Sequence, residues 1–187
     1  MALNAKTSTQ LANGHPSPLI TEQVDYNCVA LQADLEDHLG KLNDCQKTAY
    51  SHIIASVNNG GLFFLSGSGG TGKTFVYNTI CTKPRGDGKI ILCVSSLGIS
   101  ALLLYGGWTA YSMFKFPIDG LDNHSVCAIP KNYDCAELMW AVTAIIWNKV
   151  GVQHWLVIEA IGCTLHDLHG SDWPFGDITV ILGGDFL

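Results

Sequence analysis

The run LFFLSGSGGTGKT, Leu62 to Thr74, sets the fold. An apolar stretch passes directly into a glycine-rich segment, and that segment satisfies G-x-x-x-x-G-K-[ST] before a helical pattern begins. A strand in front and a helix behind turn the pattern into a mechanism for holding phosphate. The glycines Gly67, Gly69, Gly70 and Gly72 let the backbone curl, so that Ser68, Thr71 and their neighbours present successive amides to an anion. The helix that starts near Lys73 adds its positive end, Lys73 reaches the outer phosphates, and Thr74 offers a hydroxyl to magnesium. ATP with Mg2+ is the ligand this loop predicts. Hydrolysis needs a further carboxylate for the magnesium shell and a group to activate water, both at the end of a neighbouring strand.

Working outward, Lys89 to Val94, Ala144 to Trp147 and Ile178 to Gly184 are continuous apolar runs like Leu62 to Ser66. Such runs predict strands covered on both faces of a parallel sheet. Between them, Lys73 to Cys81, Gly98 to Leu104, Cys135 to Val142 and Trp155 to Leu168 read as crossover helices, giving an α/β domain with helices on both sides. Upstream, Asn43 can cap a helix whose face is Ala49, Ile53, Ile54 and Val57, and Asn58-Asn59-Gly60-Gly61 ends it. Residues 1–40 mix Ser, Thr, Asn, Gly and Pro without a sustained period, which predicts a flexible leader with one helical turn at most.

Composition narrows the function classes. With 187 residues, 48% of them hydrophobic and 14% charged, the chain has ample material for one packed domain and a tail. No apolar run has the length of a membrane span, and the first residues lack the order of a secretion signal. A nuclear or cytosolic chain is expected. The seven cysteines are scattered and never form C-x-x-C, so reduced thiols are expected rather than a disulfide framework or zinc ribbon. Cys163, His166 and His169 could share a helix face, but solvated or partly packed side chains are the better reading of them. A net charge of −6 excludes a broad basic footprint, so any nucleic-acid contact has to be local.

Several separated blocks then carry a family resemblance: Leu42, Asn43 and Gln46 in LNxxQ; FFLSGSGGTGKT; the segment from Ser95 to Asp119; AIIWNKV; and VILGGDF from Val180 to Phe186. In this order they resemble the petite-integration-frequency-type (Pif-like) DNA helicases, including those carried by Helitron transposons, from residue 41 to the last residue. The resemblance implies a P-loop NTPase fold of the RecA-like kind, here the first of two such domains and incomplete at its C-terminal side. It implies an ATP- and magnesium-dependent 5′-to-3′ DNA helicase serving repair, recombination and telomere maintenance, with single-stranded DNA as partner. By the same resemblance Gln46 meets the adenine, Asp185 is the acid of the third motif, and contacts to the strand come from Gly98 to Phe116. Gly98, Thr109, Ser112, Phe114 and Lys115 are the candidates within or beside that stretch.

The departures are as informative as the matches. Where the family reads W-D-E-A, this chain has Trp147, Asn148, Lys149 and Val150. A neutral amide replaces the magnesium-shell carboxylate, and an ammonium, which cannot accept a proton, replaces the water-activating one. Loss of general-base assistance alone removes about a hundred- to ten-thousand-fold in rate. The family's G-G-R-T-A-H-S-R-F becomes Gly106 to Phe114 without either arginine or the histidine, leaving Trp108, Tyr111 and Phe114 either to stack on bases or to pack beneath the loop. Glu159 survives in the next helix but lies away from the strand end. The chain stops shortly after Asp185, where the family continues into a second domain. Two readings follow: a helicase domain impaired in hydrolysis, or a non-catalytic nucleotide-binding remnant that touches single-stranded DNA weakly. A small kinase built on the same loop would need a basic lid, and nothing after Lys149 supplies one.

Overall fold

The computed structural model describes residues 17–122, 124–129 and 134–185. Its helices are α1 (Pro18–Val24), α2 (Cys28–Lys41), α3 (Asp44–Ser56), α4 (Lys73–Gly86), α5 (Gly98–Ala101), α6 (Ala110–Phe114), α7 (Asp134–Ala141) and α8 (Trp155–His169). Its strands are β1 (Gly61–Ser66), β2 (Ile90–Ser95), β3 (Gly107–Thr109), β4 (Val142–Asn148) and β5 (Thr179–Gly184). They form one five-stranded sheet in the order β1-β5-β4-β2-β3, with every pairing parallel. The P-loop α/β fold expected from the sequence is therefore the fold observed.

The continuous apolar runs work as expected in the centre of the sheet. Successive residues of a strand point to opposite faces, so Ile90, Leu92 and Val94 join one core with Ile145, Trp147 and Val180, under α6, α7 and α8. Ile91 and Cys93 join the other with Ala144, Ile146 and Ile181, under α3 and α4. At β1 the expectation of cover on both faces fails. Leu62 and Phe64 are 57% and 50% exposed, whereas Phe63 and Leu65 pack inward. β1 is an edge strand, and among the described residues helices cover only its α3 and α4 side.

Asn43 caps α3 as the sequence predicts. Its side chain accepts from the Gln46 amide, and the Gln46 side chain accepts from the Asn43 amide in return, a reciprocal capping box. The leader is a correction. Residues 1–16 lie outside the described residues, but 18–41 form α1 and α2 rather than a single turn. Ser17 caps α1, and the Asn27 side chain accepts from the amides of Val29 and Ala30 at 3.1 Å each. α2 packs along α4. Tyr26, between the two helices, lies under the buried Arg85 guanidinium, 4.8 Å from ring centroid to Cζ. Arg85 in turn donates to the carbonyls of Tyr105 and Ile91, both at 2.9 Å. These contacts are tertiary, so no local period announces them. No described helix is long and apolar enough to cross a membrane.

α4 crosses β5 so closely that a Cβ placed on Gly183 would lie 1.6 Å from the Tyr77 hydroxyl oxygen. That hydroxyl is buried without a hydrogen-bond partner, and burial pushes its pKa well above the ordinary tyrosine value. Gly183→Ala is therefore expected to cost about 3 kcal/mol or more in urea unfolding, at the upper end of overpacking. Tyr77→Phe, which deletes an unpaired buried donor, should be neutral or stabilising by about 1 kcal/mol and recover part of the Gly183→Ala loss. A cost above about 2 kcal/mol for Tyr77→Phe alone would show that the hydroxyl has a partner.

Candidate nucleotide site

Parallel strands place every loop that follows a strand at one edge of the sheet, where open α/β sheets bind ligands. The glycine loop follows β1, Asn148 ends β4 with Lys149 behind it, and Asp185 follows β5. Because β5 lies between β1 and β4, Asp185 stands between the loop and Lys149.

The loop has the shape its sequence requires. Gly70 and Gly72 hold φ of 80° and 83°, a left-handed region that favours glycine. At Gly67 a Cβ would approach the Thr71 hydroxyl oxygen to 2.8 Å. Thr71 closes the turn by donating its hydroxyl to the Ser68 carbonyl at 2.9 Å. Gly69 and Gly70 are exposed, and Thr74 follows Lys73 in the first turn of α4. The Lys73 ammonium turns back to the carbonyls of Gly67 and Ser68, the latter at 3.0 Å, and to the Asp185 carboxylate.

Lys149 approaches the same carboxylate from the other side. Its ammonium lies 2.6 Å from Asp185 Oδ2, while Lys73 holds Oδ1. One carboxylate thus bridges two ammoniums. The Lys149 hydrogen bond, and after it that of Lys73, holds the Asp185 carboxyl below its ordinary value. Lys149 itself has a left-handed backbone, φ 57° and ψ 37°, unusual for a long side chain. The turn that fixes it is anchored by buried Val150 and by the Gln153 amide donating to the Val150 carbonyl at 2.9 Å. Asn148 is buried, and its carbonyl accepts from the Ser95 hydroxyl and the Ser96 amide at 3.2 Å each.

Beside the loop, a cavity of about 350 Å3 is lined by Gln46, Ala49, Gly67, Thr71, Lys73 and Val76, among others. Gln46, expected at the adenine, is in place at its rim, but both ends of its carboxamide are engaged: Oε1 by the α3 cap and Nε2 by the Thr71 carbonyl at 3.1 Å. Glu159 is elsewhere. It lines a groove of about 630 Å3 between α8 and the turn Pro174–Asp177, whose other walls include Trp155, Ile158, Trp173 and Phe175.

The residues expected on the DNA strand divide. Gly98 and Lys115 are exposed, at the start of α5 and the end of α6. Thr109 caps α6, and its hydroxyl and that of Ser112 are 2.8 Å apart, so both are used locally. Phe114 is a correction. It is 1% exposed and packs on Trp147 with centroids 5.8 Å apart, so it is core and not a stacking platform. Tyr111 is the ring left at the surface of α6, edge-on to Phe116. Among the described residues no group of three or more His, Cys, Asp or Glu could hold a metal ion. His169 of the sequence trio meets the Met139 carbonyl at 3.0 Å, and His166 faces Asp167 and Asp172.

The chain belongs to the PIF1-like helicase family, whose pattern matches residues 41–187. It is 28% identical over 151 residues to the ATP-dependent DNA helicase PIF4 of Trypanosoma brucei brucei, covering 78% of this chain and 18% of that one. Among solved structures, the Pif1 helicase of Candida albicans matches with a TM-score of 0.67 at 21% identity, over 78% of this chain and 32% of that one. Pif1 from Bacteroides in complex with ADP-AlF3 and single-stranded DNA matches with a TM-score of 0.66 at 24% identity, over 77% and 32%. The chain therefore spans about a third or less of these relatives.

The shared carboxylate has a signature in pH. Its folded value lies below its unfolded one, so the pairing stabilises the fold above the ordinary carboxylate range and is lost only as pH falls through the lowered value. Lys149→Ala should move the Asp185 midpoint upward toward the ordinary value, read from its carboxyl carbon by NMR. An unchanged midpoint would mean that Lys149 and Asp185 do not pair in solution.

Proposed function

We propose that the chain is the nucleotide-holding domain of a PIF1-like helicase, binding ATP or ADP through the loop Gly67 to Thr74 without hydrolysing ATP at a helicase rate. The observation that carries this reading is the ion pair between Lys149 and Asp185 at the strand ends where the reaction needs free carboxylates. An ammonium cannot take a proton from water, and Asp185 already serves two cations. Glu159 lines a different groove and offers no substitute. Hydrogen-bond reach to the attacking water is the first demand on a general base, and among the described residues no carboxylate at this edge is left unpaired to meet it.

Within that reading the loop amides and the positive end of α4 hold the phosphates, and Lys73 exchanges its contacts with Gly67 and Ser68 for the outer phosphate oxygens. The base enters the cavity under α3 once the Gln46 amide releases Thr71. Single-stranded DNA would lie along the same edge, over Gly98, Thr109, Ser112, Tyr111 and Lys115. Support comes from the shared edge of the sheet and from the Bacteroides Pif1 complex with single-stranded DNA. With a net charge of −6 the contact is weak. A magnesium ion fits poorly: besides Thr74, the shell calls for a carboxylate at the end of β4, and buried, neutral Asn148 ends it. Unwinding, with roles in repair, recombination and telomere maintenance, belongs to a whole helicase with its second domain.

A fluorescent ATP analogue should bind the wild-type chain and lose affinity at least tenfold on Lys73→Ala. Single-stranded DNA should not stimulate phosphate release. Asn148→Asp with Lys149→Glu, supplied with a second helicase domain, should raise turnover by about a hundredfold or more. Helicase-like hydrolysis by the unmodified chain would overturn the reading.

A further inference from the structure

We infer that Lys149 takes over the role of a divalent cation, so that this site binds nucleoside di- and triphosphates without metal. The inference rests on the nucleotide reading above and concerns what neutralises the phosphates once they are bound.

The charge at the corner is the starting point. Among the described residues at this corner, Lys73 and Lys149 are cations, Asp185 is an anion, and Asn148 is neutral. The corner therefore carries a net charge of about +1. A phosphate loop of the usual kind pairs its lysine with an acidic strand end, and magnesium is then needed to bring the polyphosphate and the carboxylates together. With acids at both 148 and 149 the same four positions would sum to about −2. The pair Asn148 and Lys149 shifts the corner by three charges toward the positive.

Position matters as much as sum. Lys73 and Lys149 hold opposite oxygens of one carboxylate, so the second ammonium stands across Asp185 from the first, on the side of the β4 end. That is the side from which a strand-end acid would hold a metal. A divalent cation brought there would meet an ammonium in place of a ligand, and the carboxylate beside it, Asp185, is already shared. When phosphates draw Lys73 away, Asp185 keeps Lys149 as its partner and holds that ammonium beside the incoming anion. The left-handed backbone at Lys149, fixed by Val150 beneath it, keeps the side chain anchored at this edge.

The test is a titration of methylanthraniloyl-ATP into the chain, once with Mg2+ and once with EDTA. Wild-type affinity should agree within about threefold between the two conditions, because the resident ammonium supplies the local charge. Lys149→Glu should bind at least tenfold more weakly in EDTA than in Mg2+, since it restores an acid and removes the cation. Lys149→Met, which keeps the aliphatic stem, should weaken binding in EDTA and serves if the glutamate variant does not fold. Wild-type affinity that falls tenfold or more in EDTA overturns the inference and leaves the nucleotide site standing. Absence of binding in both conditions, with the same result for Lys73→Ala, overturns the nucleotide reading itself.

Discussion

One carboxylate shared by two ammoniums organises the carboxyl edge of this sheet. Asp185 follows β5, the strand between β1 and β4, and from there it holds Lys73 of the glycine loop on one side and Lys149 on the other. The loop, the end of β4 and the end of β5 are thereby tied together. The same tie explains why the loop lysine turns inward and why the strand-end cation is held beside the glycine loop. It also marks the chemical limit of the site. Groups committed to neutralising one another cannot also activate water, whereas they can yield to a polyanion that offers more negative charge than a single carboxylate.

Around this corner the fold supplies rigidity. Three of the five strands, β2, β4 and β5, are packed between α3 and α4 on one face and α6, α7 and α8 on the other, and Trp147 fills the end of β4 beneath Asn148. Its indole donates to the Ser96 hydroxyl at 2.9 Å, which links the end of β4 to the loop after β2. Phe114 lies on the same indole, so the segment expected to reach for DNA is fastened from below by the strand that ends at Asn148. The surface of that segment is mixed: Ile99, Leu102 and Leu103 stand largely exposed beside polar Ser112 and Lys115, with Lys115 as its single cation.

The parts of the fold that were legible in the sequence are those governed by local rules. The glycine loop, the Asn43 cap and the four apolar runs each announce themselves through spacing, and each stands where expected. α1 and α2 were not legible, because Leu35 alone of α2 is fully buried and the helix is held by contacts from α4 distant in sequence. β3 has three residues, too few for a period. That helices cover only one side of β1 among the described residues depends on strand order, which the sequence does not display. Within the site, Lys73, Asp185 and Lys149 were all legible as residues, but their pairing was not: it requires β5 to lie between β1 and β4. Phe114 misled because an aromatic beside exposed residues has the same pattern whether it faces solvent or core.

The central claim is that a polyphosphate pocket persists at this edge while the means of breaking the terminal bond is absent. Phosphorus NMR of ATP held at equal concentration with the chain tests it most directly, since bound and product phosphates are resolved in one spectrum. The account predicts shifted resonances of intact bound ATP that persist for hours, with no growth of ADP or inorganic phosphate. Appearance of both products within minutes, abolished by Asp185→Asn, would contradict it.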